Sequence, residues 1–161
     1  MKTFVSMMLV QTFLAGGCLM AAQLATKQTL TLEVAKQMAA AAAQHAAQNK
    51  WTMVIAIVDD GGNLMYLEKM DETQIGSIEV AQAKARTAIR YKRPTKALED
   101  AVAGGRQVVM TLPGATPVEG GVPITVDGKI IGAIGLSGMA SNQDGECAKA
   151  ALDALPKILG R

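Results

Sequence analysis

The sequence predicts an α+β domain of about five antiparallel strands with helices before, between and after them. One observation is local: the β-branched runs Val122 to Val126 and Lys129 to Leu136 flank Asp127-Gly128, a dipeptide that accepts positive φ at both turn positions, so they form a hairpin. A second pair, Trp51 to Val58 and Leu64 to Met70, brackets the turn cluster Asp59-Asp60-Gly61-Gly62-Asn63. Between and around these runs, apolar residues recur at helical spacing.

Taken in order, Thr29 or Thr31 caps a first helix that runs to about Gln48, with Glu33 at the positive end of its dipole. Its interior, Met38-Ala39-Ala40-Ala41-Ala42-Ala43, has high helix propensity and little bulk. Val34, Met38, Ala41 and His45 share one stripe, and a glycine-bearing strand is the expected partner of so slim a helix. After the first hairpin, Ser77 caps a helix from Ile78 to about Tyr91, which places Val80, Ala83, Lys84, Thr87 and Tyr91 on one face. Pro94 ends it, and Thr95 to Ala103 is a short helix closed by Gly104-Gly105. Gln107 to Thr111 reads as a further strand. Residues 112–121 are a loop with two prolines and three glycines, long for a compact chain. Gly132 and Gly135 fall inside the last strand, where a missing side chain implies close approach of a helix or a ligand. Ser141 or Asn142 opens the final helix, with Ala148, Ala151, Leu152 and Leu155 as its apolar face.

The chain's 161 residues suit one domain with a sizeable core. Half of them are hydrophobic but only 3% are aromatic, and both phenylalanines precede residue 20, so Ala, Val, Ile, Leu and Met must fill the interior. A formal charge of +2, with no dense basic cluster beyond Arg90-Tyr91-Lys92-Arg93, argues against a nucleic-acid surface. Lys2 precedes an uncharged run from Thr3 to Thr26 with an apolar centre and small residues after it, so residues 1–22 read as a secretory signal. The mature protein is then periplasmic or secreted, with no stable membrane span. Leu14-Ala15-Gly16-Gly17-Cys18 resembles a lipobox with its leucine one residue too far away, which makes lipidation at Cys18 an alternative. Removal or lipidation of Cys18 leaves Cys147 as the single thiol and excludes an intrachain disulfide.

His45 is the only histidine. It has two readings: an axial ligand for haem iron, or a helix C-terminal residue whose partial charge suits the dipole. Lys84 has two as well, either binding an acid or propionate group or running its stem along the core with its ammonium in water. Asp59 and Asp60 are turn residues before they are a carboxylate pair. Glu68, Asp71 and Glu72 are more simply solvated than cation-binding. Gly135-Leu136-Ser137-Gly138 lacks the spacing of a hydrolase nucleophile turn, and Cys-x-x-Cys, His-x-x-x-His and phosphate-loop motifs are missing. Nothing in the residues alone marks an enzyme.

Several of these stretches resemble, in the same order, the GlcG/HbpS-like family (DUF336), the haem-binding domain also found at the C-terminus of PduO adenosyltransferases. They are Val58-Asp59-Asp60-Gly61-Gly62, Met70-Asp71, Ala81-Gln82-Ala83-Lys84-Ala85-Arg86-Thr87-Ala88, Gly120-Gly121-Val122-Pro123-Ile124 and Gly132-Ala133-Ile134-Gly135-Leu136-Ser137-Gly138. Glu72 departs from the pattern, which usually has glycine there. The resemblance covers residues 28–156, which it marks as one domain, and implies a profilin-like sheet, haem as the cofactor or ligand, and assembly into dimers or larger homo-oligomers. It also implies a ligand-binding set of Lys84, Thr87, Glu119, Gly120, Gly121 and Pro123; the family's axial donor does not map onto His45 by motif, so His45 is a candidate haem ligand on its own chemistry alone. Three functions follow as expectations: an exported haem-binding or haem-handling protein, an accessory enzyme or binding protein for a small organic acid, or a structural homo-oligomer without ligand.

Overall fold

The computed structural model describes residues 22–161; most of the expected signal segment, with Cys18, lies outside the described residues. The elements are α1 (Leu32–Gln48), β1 (Val54–Asp59), β2 (Leu64–Lys69), α2 (Ser77–Tyr91), α3 (Thr95–Ala103), a 3₁₀ turn (Gln107–Thr111), β3 (Gly121–Val126), β4 (Lys129–Ser137) and α4 (Ser141–Ile158). The four strands form one antiparallel sheet in the order β2-β1-β4-β3. Helix α2 covers one face, and α1 and α4 cover the other.

The α+β architecture agrees with the sequence, but the sheet has four strands where about five were expected. The missing one is Gln107–Thr111. Only Val109 of this segment is buried, while Val108 and Met110 are 60% and 59% exposed. Its amides find partners within the segment or just before it, as in Val109 N–H to Arg106 O at 3.1 Å and Leu112 N–H to Val109 O at 3.2 Å. A run of β-branched residues that satisfies itself against α3 has no need of a neighbouring strand.

Strand parity divides the core. On β1, Ile55 and Ile57 point with Met38, Ala39, Ala42, Ile134, Leu136 and Ala148 into the α1–α4 layer, while Val54, Ala56 and Val58 point to α2. Thr31 caps α1, its hydroxyl accepting from Val34 N–H at 3.3 Å. The buried stripe of α1 is Ala35, Met38, Ala39, Ala42 and Ala46, so its centre is rotated one position from the expected Val34–Ala41–His45 line. Helix α2 starts one residue earlier than expected, with Gly76 at the cap. Ser77 is buried within it and takes a 3.1 Å hydrogen bond from Ser137.

The glycine expectation needs a larger correction. The helix that settles on the glycine-bearing strand is α2, not the alanine-rich α1. Gly121 and Ala56 are the cross-strand partners of Gly135 on its two sides, which makes a row of minimal side chains across three strands. Helix α2 lies so close over that row that a Cβ on Gly135 would stand 2.1 Å from Ala81 O and 2.5 Å from Ala85 N, and one on Gly121 would stand 2.4 Å from Lys84 O. Gly132 faces the other layer and abuts Leu30 and the Val58 carbonyl. Both strand glycines are thus closed by protein. Neither opens onto a ligand cavity.

Because the atoms a Gly135 side chain would meet are helix backbone, they cannot step aside by changing rotamer. Gly135→Ala should therefore cost about 3 kcal/mol or prevent folding. Gly76→Ala, at the exposed cap of α2 where φ −62° and ψ −23° are open to any residue and nothing lies within 4 Å of the new Cβ, should change stability by less than about 1 kcal/mol. Urea unfolding of the two variants beside the wild type measures both.

Candidate functional site

Helix α2 presents Lys84 inward, and the flush packing of the helix leaves its side chain no route to water. Lys84 is 1% exposed. Its Nζ donates to Asp144 Oδ2 at 2.6 Å and to Leu136 O at 3.0 Å, so it ties α2 to the end of β4 and the first turn of α4. The ammonium is neither in water nor in an open pocket. The second oxygen of Asp144 accepts from Met139 N–H at 3.2 Å. Burial pushes the Asp144 carboxyl above its ordinary range, and the hydrogen bond and charge of Lys84 pull it back only in part.

The loop at 112–121 is strapped to the same helix. Thr87 donates to Ala83 O at 2.7 Å, accepts from Thr116 N–H at 2.9 Å and lies 3.3 Å from Gly114 O. Tyr91 and Arg90 donate to Pro113 O at 2.8 and 3.1 Å. Glu119 N–H donates to the Glu99 carboxylate. Glu119's own side chain packs over Gly145 of α4, and burial raises its carboxyl, with Lys96 opposing. Gly120 (φ +124°) is boxed in by Asp144 Cβ, Leu136 O and Lys84 Nζ. Gly121 N–H donates to Thr95 at 2.9 Å, and Pro123 is half-buried opposite Ala133. The structure therefore brings Lys84, Thr87, Glu119, Gly120 and Gly121 together around α2, with nearly all their polar groups already engaged by protein. A carboxylate ligand at Lys84 would have to take the place of Asp144. Asp144 was not among the residues singled out from sequence. An acid in a helix's first turn reads as a dipole partner, and its real counterpart is 60 residues away.

His45 lies apart from this cluster, in the last turn of α1. Its ring is half-buried and meets Trp51 edge-on, with centroids 6.1 Å apart. Its Nε2 is buried and, among the described residues, has no hydrogen-bond partner. An imidazole nitrogen in that condition is a donor or acceptor left idle, and buried polar atoms are rarely left so. A groove of about 370 Å³ runs between α1 and α4, lined by Gln37, Ala40, Ala41, Gln44, Ala154, Lys157 and Ile158, and His45 is not among its lining residues. Ala41 is one helical turn before His45. Asp59, by contrast, is a turn residue, its Oδ1 accepting from Gly61 and Asn63 N–H at 2.8 Å each. Among the described residues no cluster of His, Cys, Asp and Glu is suited to a metal ion, and no helix is long and apolar enough to cross a membrane.

The family model described as haem degrading protein HbpS-like matches residues 30–153. The chain belongs to the HbpS-like family. Protein GlcG of Escherichia coli strain K12 is 44% identical over 112 residues, covering 70% of this chain and 84% of that protein. The crystal structure of Klebsiella pneumoniae protein ORFY superposes with a TM-score of 0.79 at 31% identity, covering 84% of this chain and 97% of that one. The PduOC:heme complex superposes at 0.72 with 30% identity, over 79% and 95% of the two chains. The HbpS-like fold is thus common to chains of differing context, and what each binds must be argued from its own residues.

Two measurements test the site geometry. Lys84→Met leaves the Asp144 carboxylate buried without its partner and should cost about 3–5 kcal/mol in urea unfolding, whereas Lys84→Met combined with Asp144→Leu should recover most of that loss. Burial first, then the charges of Asp144 and Glu146, push the Cys147 thiol up to about 12. The thiolate is the reactive form, so iodoacetamide should leave the Cys147 peptide unmodified in native protein at mildly alkaline pH and alkylate it once urea is added, as read by mass spectrometry.

Proposed function

We propose that this HbpS-like protein binds haem and that His45 is the iron's axial donor. The observation that carries the reading is the idle Nε2 of His45, a buried imidazole nitrogen unpartnered among the described residues. Every other buried side-chain nitrogen or oxygen of the described residues has found a hydrogen bond. The family description and the haem complex of a structural relative support the same ligand.

The residues present suit the group. Nitrogen from imidazole is the common protein ligand of haem iron. The nearest open groove on this side, between α1 and α4, is lined by Ala40, Ala41, Ala154 and Ile158 with Lys157 as a cation for a propionate, and it does not reach His45 in this conformation. Bound haem would supply a redox-active iron within a visible-light chromophore. The protein's part is to present the donor and exclude water. Since Nε2 is sealed in this conformation, admission of the ring requires His45 or Trp51 to change rotamer. Lys84, Thr87, Glu119, Gly120, Gly121 and Pro123 enter the proposal as a second, closed site: a small organic acid reaches them only in a state where the Lys84–Asp144 pair has opened. Export also belongs to the proposal, supported by the uncharged run from Thr3 to Thr26, as does homo-oligomerisation, supported by the exposed Val108 and Met110 beside the loop.

Titration of purified protein with hemin should give a saturable shift of the Soret band. His45→Ala should abolish that shift or weaken the affinity by about tenfold or more. Trp51→Ala should speed binding in stopped flow. An unshifted Soret band, or the same spectrum and affinity in His45→Ala, would remove the reading.

A further inference from the structure

On the opposite side of the sheet, a cavity of about 250 Å³ opens between the β1–β2 turn and the outer face of α2. Its walls are Gly61, Gly62, Arg86 and Arg90, its floor is Ile89, and Asp60 stands at its edge. Neither the haem reading nor the sequence-derived ligand set uses any of these residues. Arg86 and Arg90 are one helical turn apart, and both side chains line this space.

The charges at this cavity do not balance. Among the described residues neither arginine forms an ion pair. The one acid on the rim, Asp60, is already held by Lys27 at 2.6 Å. Asp59 next to it is occupied by the turn amides of Gly61 and Asn63. Arg90 commits one N–H to Pro113 O at 3.1 Å, and Arg86 reaches only the Gly62 carbonyl and the Gln82 side chain, both at 3.4 Å. Each guanidinium has five N–H donors, so most of their hydrogen-bonding capacity is open. Glycines at 61 and 62 contribute no side chain to fill the space in front of them. Between these charges and the sheet, Ile89 packs on the small cluster of Val58, Ala85, Ala88 and Ala133 and shows the cavity an apolar surface.

We infer that Arg86 and Arg90 form a binding site for a short-chain dicarboxylate. Each guanidinium takes one carboxylate in its planar fork, and the methylene spacer lies on Ile89. The fork geometry matches carboxylates, and the two positive charges call for two negative ones. The apolar floor favours a carbon spacer over an inorganic dianion, which would leave Ile89 uncovered in water. The cavity is below the size of usual drug-like pockets, roughly 300–1,000 Å³, as a compact ligand requires. The site is independent of His45 and of the haem reading.

Isothermal titration at low ionic strength, with sodium malonate and sodium succinate as probes and no haem present, tests the assignment. One of the two should bind saturably at one site per chain, at least about tenfold tighter than acetate or inorganic phosphate at matched ionic strength. Arg86→Gln and Arg90→Gln should each weaken it by roughly tenfold or more, while Arg106→Gln, away from the cavity, should not. Arg90→Gln also releases Pro113, so Arg86→Gln is the cleaner variant. Absence of saturable heat from both probes, unchanged affinity in Arg86→Gln, or phosphate binding as tightly as the dicarboxylates would overturn the inference.

Discussion

The distance between α2 and the sheet sets the terms for the rest of the molecule. Ala56, Gly135 and Gly121 form a row with almost no side-chain height, and the helix backbone comes down onto it until Ala81 O and Lys84 O stand where a Cβ would be. At that separation any long side chain on the inner face of α2 is trapped. Lys84 is the one that is long. Taking an ammonium out of water is costly unless it is paired and hydrogen-bonded, and here the partners are the Asp144 carboxylate and the free carbonyl of Leu136. A backbone constraint in the sheet therefore dictates a charge pair that reaches across to α4, and the same pair, with Asp144 Cβ and Leu136 O, leaves room only for glycine at 120.

That chain of causes also explains what could be read from the sequence. The two hairpins were legible because their information is local: Asp127-Gly128 adopts positive φ at both residues, and Asp59 folds its own turn. Family membership was legible for the same reason, as it rests on motifs that each lie within a few residues. The identity of the helix on the glycine strand was not. Both α1 and α2 carry alanines at helical spacing, and propensity cannot say which face of a sheet a helix will take. The Ala81–Ala85 pair, which faces Gly135, was the available signal, but the longer alanine run at 39–43 outweighed it. Asp144 was illegible because only the tertiary fold sets it against Lys84. Gln107–Thr111 misled because β propensity describes a half-buried pleated surface, and this segment has one buried residue.

The loop at 112–121 shows how a correct sequence cue can point to the wrong kind of importance. Its length stood out for a compact chain, and Glu119, Gly120 and Gly121 at its end were placed in the ligand-binding set. In the structure, Pro113 O, Gly114 O, Thr116 N–H, Glu119 N–H and Gly121 N–H all find partners on α2, α3 or the start of α3. A loop so engaged is part of the scaffold. Thr87, which sequence reasoning marked as a ligand contact, is one of the groups that hold it, and Lys84 is spent on Asp144 and Leu136 O.

Binding chemistry should then be sought where polar atoms have been left without partners. Folding satisfies buried donors and acceptors whenever geometry allows, so an idle one is either an uncompensated loss of stability or a group reserved for something else. His45 Nε2 on one side of the sheet and the guanidinium pair of Arg86 and Arg90 on the other are the groups with capacity to spare. They differ in kind. A buried imidazole nitrogen without a partner suits a metal that takes the place of its hydrogen bond, while two exposed cations suit an anion that replaces their water. The close α2–sheet contact places the two regions on separate layers, so neither set of residues has to serve the chemistry of the other.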